Sequence, residues 1–86
     1  MHYACSTGDT AMVRILLDAG AVPNIGDSSG NTPLHYAADN CYREIAEVLI
    51  GAGAEKSAEN SAGKTPADLA AASECGDLAE ILGGGM

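Results

Sequence analysis

The amino-acid sequence predicts an all-α stack of helix–turn–helix units repeating every 33 residues. Three observations carry this expectation. The stretch Asn31-Thr32-Pro33-Leu34-His35-Tyr36-Ala37-Ala38 recurs 33 residues later as Lys64-Thr65-Pro66-Ala67-Asp68-Leu69-Ala70-Ala71. Met1-His2-Tyr3-Ala4-Cys5 falls under Leu34-His35-Tyr36-Ala37-Ala38 in the same register. Each unit then carries an apolar triad: Met12, Ile15 and Leu16; Ile45, Val48 and Leu49; Leu78, Ile81 and Leu82. Spacing of i, i+3, i+4 makes one face of a helix, and a fixed period of this size signals stacked units rather than one globule. One repeat domain spans 1–86, divided into a truncated unit 1–30, a full unit 31–63 and a closing unit 64–86.

The first unit opens inside the pattern, without the Thr-Pro that precedes Leu34. Its first helix therefore lacks a cap, and its second helix covers Ala11–Leu17 before Gly20. In the second unit Thr32 suits an N-cap and Pro33 the first helical position, where no backbone N–H is required. Leu34, Ala37 and Ala38 supply the apolar stripe. After the turn Asp39-Asn40-Cys41-Tyr42, the run Arg43–Ile50 reads as a second helix, with Gly53 placed for a left-handed C-terminal cap. The segments 23–30 and 56–63 are polar, hairpin-like loops. Asp27 and Asn60 share a register, as do Gly30 and Gly63, and an Asx residue three before a glycine is turn chemistry. In the third unit the second helix is short and runs into Gly83-Gly84-Gly85-Met86.

Composition narrows the function. Sixteen alanines and no Phe or Trp cannot fill a deep core, but they fit a thin seam between closely packed helices. No run approaches the roughly 18 apolar residues of a membrane span, and no basic-then-apolar leader opens the chain. Twelve acidic and four basic residues give a net charge of −8, which argues against nucleic acid, since phosphate recognition needs a basic stripe. The acidity serves either a basic protein partner or solubility alone. Three cysteines, Cys5, Cys41 and Cys75, are odd in number and form no C-x-x-C. A disulfide framework is therefore not expected, and a reducing, intracellular compartment fits, cytoplasmic or nuclear. With His2 and His35 they also fall short of a structural zinc set. Gly51-Ala52-Gly53-Ala54-Glu55-Lys56-Ser57 misses a phosphate-binding loop, because Glu55 and Ile50 stand where glycines are required. Asp27-Ser28-Ser29-Gly30-Asn31 has too few carboxylates for a calcium loop. No catalytic residue, metal or cofactor is expected.

The pattern Thr32-Pro33-Leu34-His35-x-Ala37-Ala38, Ile45-x-x-Val48-Leu49, Gly53-Ala54 and Asn60-x-x-Gly63-x-Thr65-Pro66 resembles the ankyrin repeat over essentially the whole chain. The chain looks like about two and a half repeats, a monomer or the C-terminal part of a longer array. Asp68 replaces the histidine of the motif in the third unit and Gly83 replaces Ile50, as suits a terminal repeat. The resemblance implies that His35 bonds Thr32 and a neighbouring backbone, tying repeats together. Tyr3 and Tyr36 occupy positions expected to pack in the core. Tyr42 is either an exposed anchor or a packing residue between helices. The resemblance also implies protein binding through the loop tips and the exposed face of the first helices. Those positions are Ser28, Ser29, Asn31, Asp39, Asn40, Glu59, Ser61, Lys64, Ala72 and Ser73. Within the family, Met1-His2, Asn31 to His35, and Glu59-Asn60 before Lys64-Thr65-Pro66 are similar to the last repeats of gankyrin-like assembly chaperones. That likeness implies a proteasomal ATPase subunit as the basic partner.

Overall fold

The computed structural model describes residues 2–84. Met1, Gly85 and Met86 lie outside the described residues, as do the side chains of His2 and Tyr3 that the sequence places in the first repeat motif. Among the described residues six α-helices follow one another: α1 (His2–Thr7), α2 (Thr10–Asp18), α3 (Pro33–Asp39), α4 (Arg43–Gly51), α5 (Pro66–Ala72) and α6 (Gly76–Ala79). A wider turn over Glu80–Gly84 continues α6, and Gly83 leaves it at φ 114°. The helices α1, α3 and α5 pack side by side, α2 packs on α4, and each first helix packs on the second helix of its own unit.

Each of the first five helices ends in the same way. The N–H of Ala54 reaches back to the carbonyl of Leu49 (2.9 Å) and that of Gly53 to Ile50 (3.0 Å), which is the Schellman closure. Ala21 and Gly20 repeat it on Leu16 and Leu17. Tyr42 and Cys41 repeat it on Ala37 and Ala38, and Cys75 and Glu74 on Ala70 and Ala71. Asp9 likewise returns to Ala4 at 3.1 Å. This closure needs a left-handed residue just past the helix. Gly8, Gly20 and Gly53 supply it without strain, whereas Cys41 and Glu74 adopt φ 61° despite their side chains.

The core is a seam. Cys5, Leu34, Ala37, Ala38, Ala46 and Ala70 are fully buried, and the small side chains among them let the first helices approach closely. Val13, Ile45, Leu49, Leu78 and Leu82 fill the space behind them. Truncating a fully enclosed leucine such as Leu49 to alanine costs about 2–5 kcal/mol.

The triads are equivalent in sequence but not in burial. Ile45 is 1% exposed, yet its counterpart Met12 is 42% exposed and Ile15, the counterpart of Val48, is 60% exposed. Ile45 lies on α4, which packs on α3 and on α2. In the first unit Val13 is the enclosed residue of α2, in register with Ala46.

The cysteines correct the sequence expectation. Cys41 and Cys75 are joined by a disulfide with their Cα atoms 6.0 Å apart, and Cys5 is free and buried. Counting cysteines missed this because the relevant spacing is the repeat. Residues 33 or 34 apart lie beside each other in adjacent units.

Candidate functional site

The site is built from two loops and the helices that follow them. In the first loop Asp27 Oδ1 accepts the N–H groups of Ser29 (2.9 Å) and Asn31 (3.0 Å), and Gly30 N–H returns to the Asp27 carbonyl. In the second, Asn60 Oδ1 accepts from Ala62 (2.9 Å) and Lys64 (3.0 Å), and Gly63 closes on the Asn60 carbonyl. The Asx register read from the sequence therefore makes two matching tips. They are tied together: Ser61 N–H donates to the Ser29 carbonyl at 2.9 Å, and the Asn60 amide donates to Asn31 Oδ1 at 2.8 Å. Gly30 sits at this seam. A Cβ there would meet the Ser61 nitrogen at 3.0 Å.

The loops are anchored to the helices behind them. The Tyr36 hydroxyl donates to the Asp27 carboxylate. That hydrogen bond, helped by partial burial and the carboxylate charge, raises the Tyr36 pKa above the ordinary tyrosine value. His35, fully buried, spans the joint between units. Its Nδ1 lies 3.0 Å from the Thr32 backbone nitrogen and 2.8 Å from Thr32 Oγ1, and its Nε2 lies 2.9 Å from the Lys64 carbonyl oxygen. A proton on Nε2 satisfies all three contacts, with Nδ1 accepting and Nε2 donating. The structural role expected for this histidine is the one it has.

The ten residues placed at the site fall into two groups. Ser28, Ser29, Asn31, Glu59, Ser61 and Lys64 form the loop strip. Asp39, Asn40, Ala72 and Ser73 stand at the far ends of α3 and α5. All are exposed except Asn31 and Ser73, which are half-buried. Two have side chains already engaged, Asn31 with Asn60 of the following loop and Ser73 across the joint with the Asp39 carbonyl (3.0 Å). The Asn40 amide folds back on the Tyr36 carbonyl at 2.9 Å. Between the groups lies a cleft of about 140 Å³, lined by Asn31, His35, Tyr36, Asp39, Asn60 and Leu69. Tyr36, a position expected to pack in the core, does pack against the core cluster while half-buried, and it also lines this cleft, with its hydroxyl on Asp27. No local pattern couples residues 27 and 36, so only the folded loop reveals the pair.

Tyr42 takes the packing role. Its ring lies against Gly8, where an added Cβ would stand 3.0 Å from the ring carbon that bears the hydroxyl. Cys5, sealed in the seam, has its thiol pushed up to about 11 by burial.

The surface is polar and shallow, with Asp39 and Glu59 as exposed carboxylates and Lys64 as the opposing charge. Among the described residues no helix is long and apolar enough to cross a membrane. Stacked helical pairs joined by Asx-turn loops, with a polar strip along one side, define a repeat fold used for interaction rather than for catalysis. The family model for ankyrin repeats (3 copies) matches residues 1–60, and the chain belongs to that family. Among curated proteins it is similar to two ADP-ribosylation factor GTPase-activating proteins of Arabidopsis thaliana. It is 51% identical to AGD1 and 49% identical to AGD4, each over 35 residues. Each match covers 41% of this chain and 4% of the relative.

Proposed function

We propose that this chain is a docking module for a protein with a basic surface, bound along the loop strip and the cleft beside it. The observation that supports this most is the joined pair of Asx-turn tips. They present Ser28, Ser29, Glu59 and Ser61 on a backbone held by hydrogen bonds, so little ordering entropy is lost on binding. The acidic balance supplies the sign. With no large aromatic anchor on the strip, affinity rests on many small polar contacts and is modest. The setting we favour is an intracellular one, cytoplasmic or nuclear, with the module as the ankyrin segment of a larger protein. The two relatives support this, since the matched stretch is a small part of each. In an enzyme of that kind the segment is regulatory and the chemistry lies elsewhere.

A second reading is a gankyrin-like assembly chaperone gripping a proteasomal ATPase subunit. It rests on the short motif likeness and on charge. Affinity capture from cell extract with crosslinking, followed by identification of the partner, separates the two. Recovery of a proteasomal ATPase subunit selects the chaperone. The surface assignment has its own test. The double substitution D39K/E59K, with folding intact by circular dichroism, lowers affinity for the captured partner roughly five- to tenfold at low salt and less at high salt. Unchanged affinity discards the strip as the binding surface.

A further inference from the structure

We propose that Cys41 and Cys75 form a reversible thiol–disulfide exchange site, served by low-molecular-weight thiols and disulfides of the glutathione class, that locks the third unit to the second. The argument begins with register. Cys41 is the left-handed residue that closes α3, and Cys75 is the residue after the one that closes α5. The same two positions meet at the preceding joint, where the Tyr42 ring lies on Gly8. Stacking thus brings this pair of positions together at each joint. At the first joint the contact is a ring on a glycine; at the second it is two sulfurs. The Cα separation of 6.0 Å lies within the range a disulfide spans.

The site is open to reagents. Cys41 is exposed, Cys75 is half-buried, and both line an open cleft of about 420 Å³ rimmed by Arg43, Glu74 and Asp77. Cys5 does not compete, being fully buried in the first unit. The position is also mechanically informative. Near the loops, His35 of the second unit bonds the Lys64 carbonyl of the third. At the turn end, Ser73 Oγ donates to the Asp39 carbonyl at 3.0 Å. The disulfide adds a covalent tie at the turn end of the joint, opposite the histidine at the loop end. Cys41 occupies a left-handed position that Gly8 fills without strain in the first unit, and the cross-link offsets that conformational cost.

The chemistry balances with oxidised glutathione as oxidant. The Cys41 thiolate attacks one glutathione sulfur, forming a mixed disulfide and releasing one glutathione thiolate. The Cys75 thiolate then attacks the Cys41 sulfur and displaces the second. Two electrons pass from the cysteines to glutathione, and the two cysteine protons end on the two glutathione thiols. Excess reduced glutathione runs the same steps backwards.

The test uses the full chain, fully reduced and then equilibrated with oxidised glutathione. Expected are a mass loss of about 2 Da from two departing hydrogens and a single maleimide-reactive cysteine, Cys5, that labels only after unfolding. A rise in melting temperature of roughly 10 °C or more is expected as well. Amide exchange in α6 slows more than in α2, and excess reduced glutathione reverses all of these without denaturant. The control is C41G, which suits the left-handed position and folds; its melting temperature is indifferent to oxidised glutathione. Three reactive thiols after oxidation, a stable mixed disulfide, an intermolecular dimer, or a disulfide that leaves melting and α6 exchange unchanged each overturns the proposal. So does a bond that glutathione cannot reduce in the folded chain. None of these readouts involves a binding partner, so they stand apart from the docking assignment.

Discussion

Thr32-Pro33-Leu34-His35 and Thr65-Pro66-Ala67-Asp68 are the same helix cap built twice, and they differ in one residue that matters. In both, the fourth side chain accepts the N–H of the threonine, at 3.0 Å from His35 Nδ1 and at 3.0 Å from Asp68 Oδ2. There the likeness ends. The imidazole carries a second nitrogen on its far side and reaches the Lys64 carbonyl of the next unit. The Asp68 side chain caps its own helix only: it is exposed, and its backbone N–H donates to Thr65 Oγ1 at 3.2 Å. A ring with two opposed polar ends serves as cap and cross-link together, whereas a carboxylate serves as cap alone. The second unit has both functions; in the third unit the fourth residue serves as cap alone.

This comparison can be broken most sharply by H35A. The substitution empties a fully buried site and orphans the Thr32 N–H and the Lys64 carbonyl. It is expected to cost about 2–4 kcal/mol in urea unfolding. D68A loses an exposed cap and is expected to cost well under half as much in the same experiment. Equal losses would mean that the cross-link to Lys64 contributes nothing.

The glycines of the two loops offer the next test. Gly30 and Gly63 share φ 75°, so alanine pays the same left-handed penalty of about 1 kcal/mol at either. At Gly30 the new Cβ also meets the backbone of Ser61 and Asn60 at 3.0–3.3 Å, while at Gly63 it meets nothing within 4 Å. G30A is therefore expected to be about 1–2 kcal/mol worse than G63A by thermal melting, the excess measuring how closely the two loop tips are held.

The smallest effect is on pH. The Asp68 carboxylate accepts the Thr65 backbone N–H, and this, with the Thr65 side chain and Lys64 nearby, holds its pKa below the ordinary value of 3.8. A carboxylate depressed on folding contributes stability that is present above its unfolded pKa and is lost as pH falls through the folded one. Stability is thus expected to drop below about pH 4, and D68N should flatten part of that acid limb. H35A should leave this contribution of Asp68 in place.

Much of the fold was legible because its signals are local. Threonine, proline and an accepting fourth residue make a cap within four residues, and an Asx residue before a glycine makes a loop tip within five. The 33-residue recurrence then implied that these pieces stack. By register the ten candidate positions gather into a loop strip and the two helix ends beside it. What the pattern did not show is which polar groups are already spent. Asn31 and Ser73 look as available in sequence as Ser28 and Ser61, yet Asn31 is bonded to the next loop and Ser73 to the Asp39 carbonyl of the second unit. Tyr36 packs against the core as its position implies, and the pattern did not show that it also lines the cleft.

The sequence by itself determined the unit: where each helix is capped, where each loop turns, and which residues share a register. Those are decided by neighbours a few residues away. Tertiary structure alone decided what happens between units. It buried Ile45 and left Met12 exposed, gave His35 a second partner, drew Tyr36 out to Asp27, and brought Cys41 to Cys75. Each of these depends on what lies across the joint. A linear pattern states only that a position repeats, and the neighbouring unit decides whether it meets solvent, a carbonyl or another sulfur.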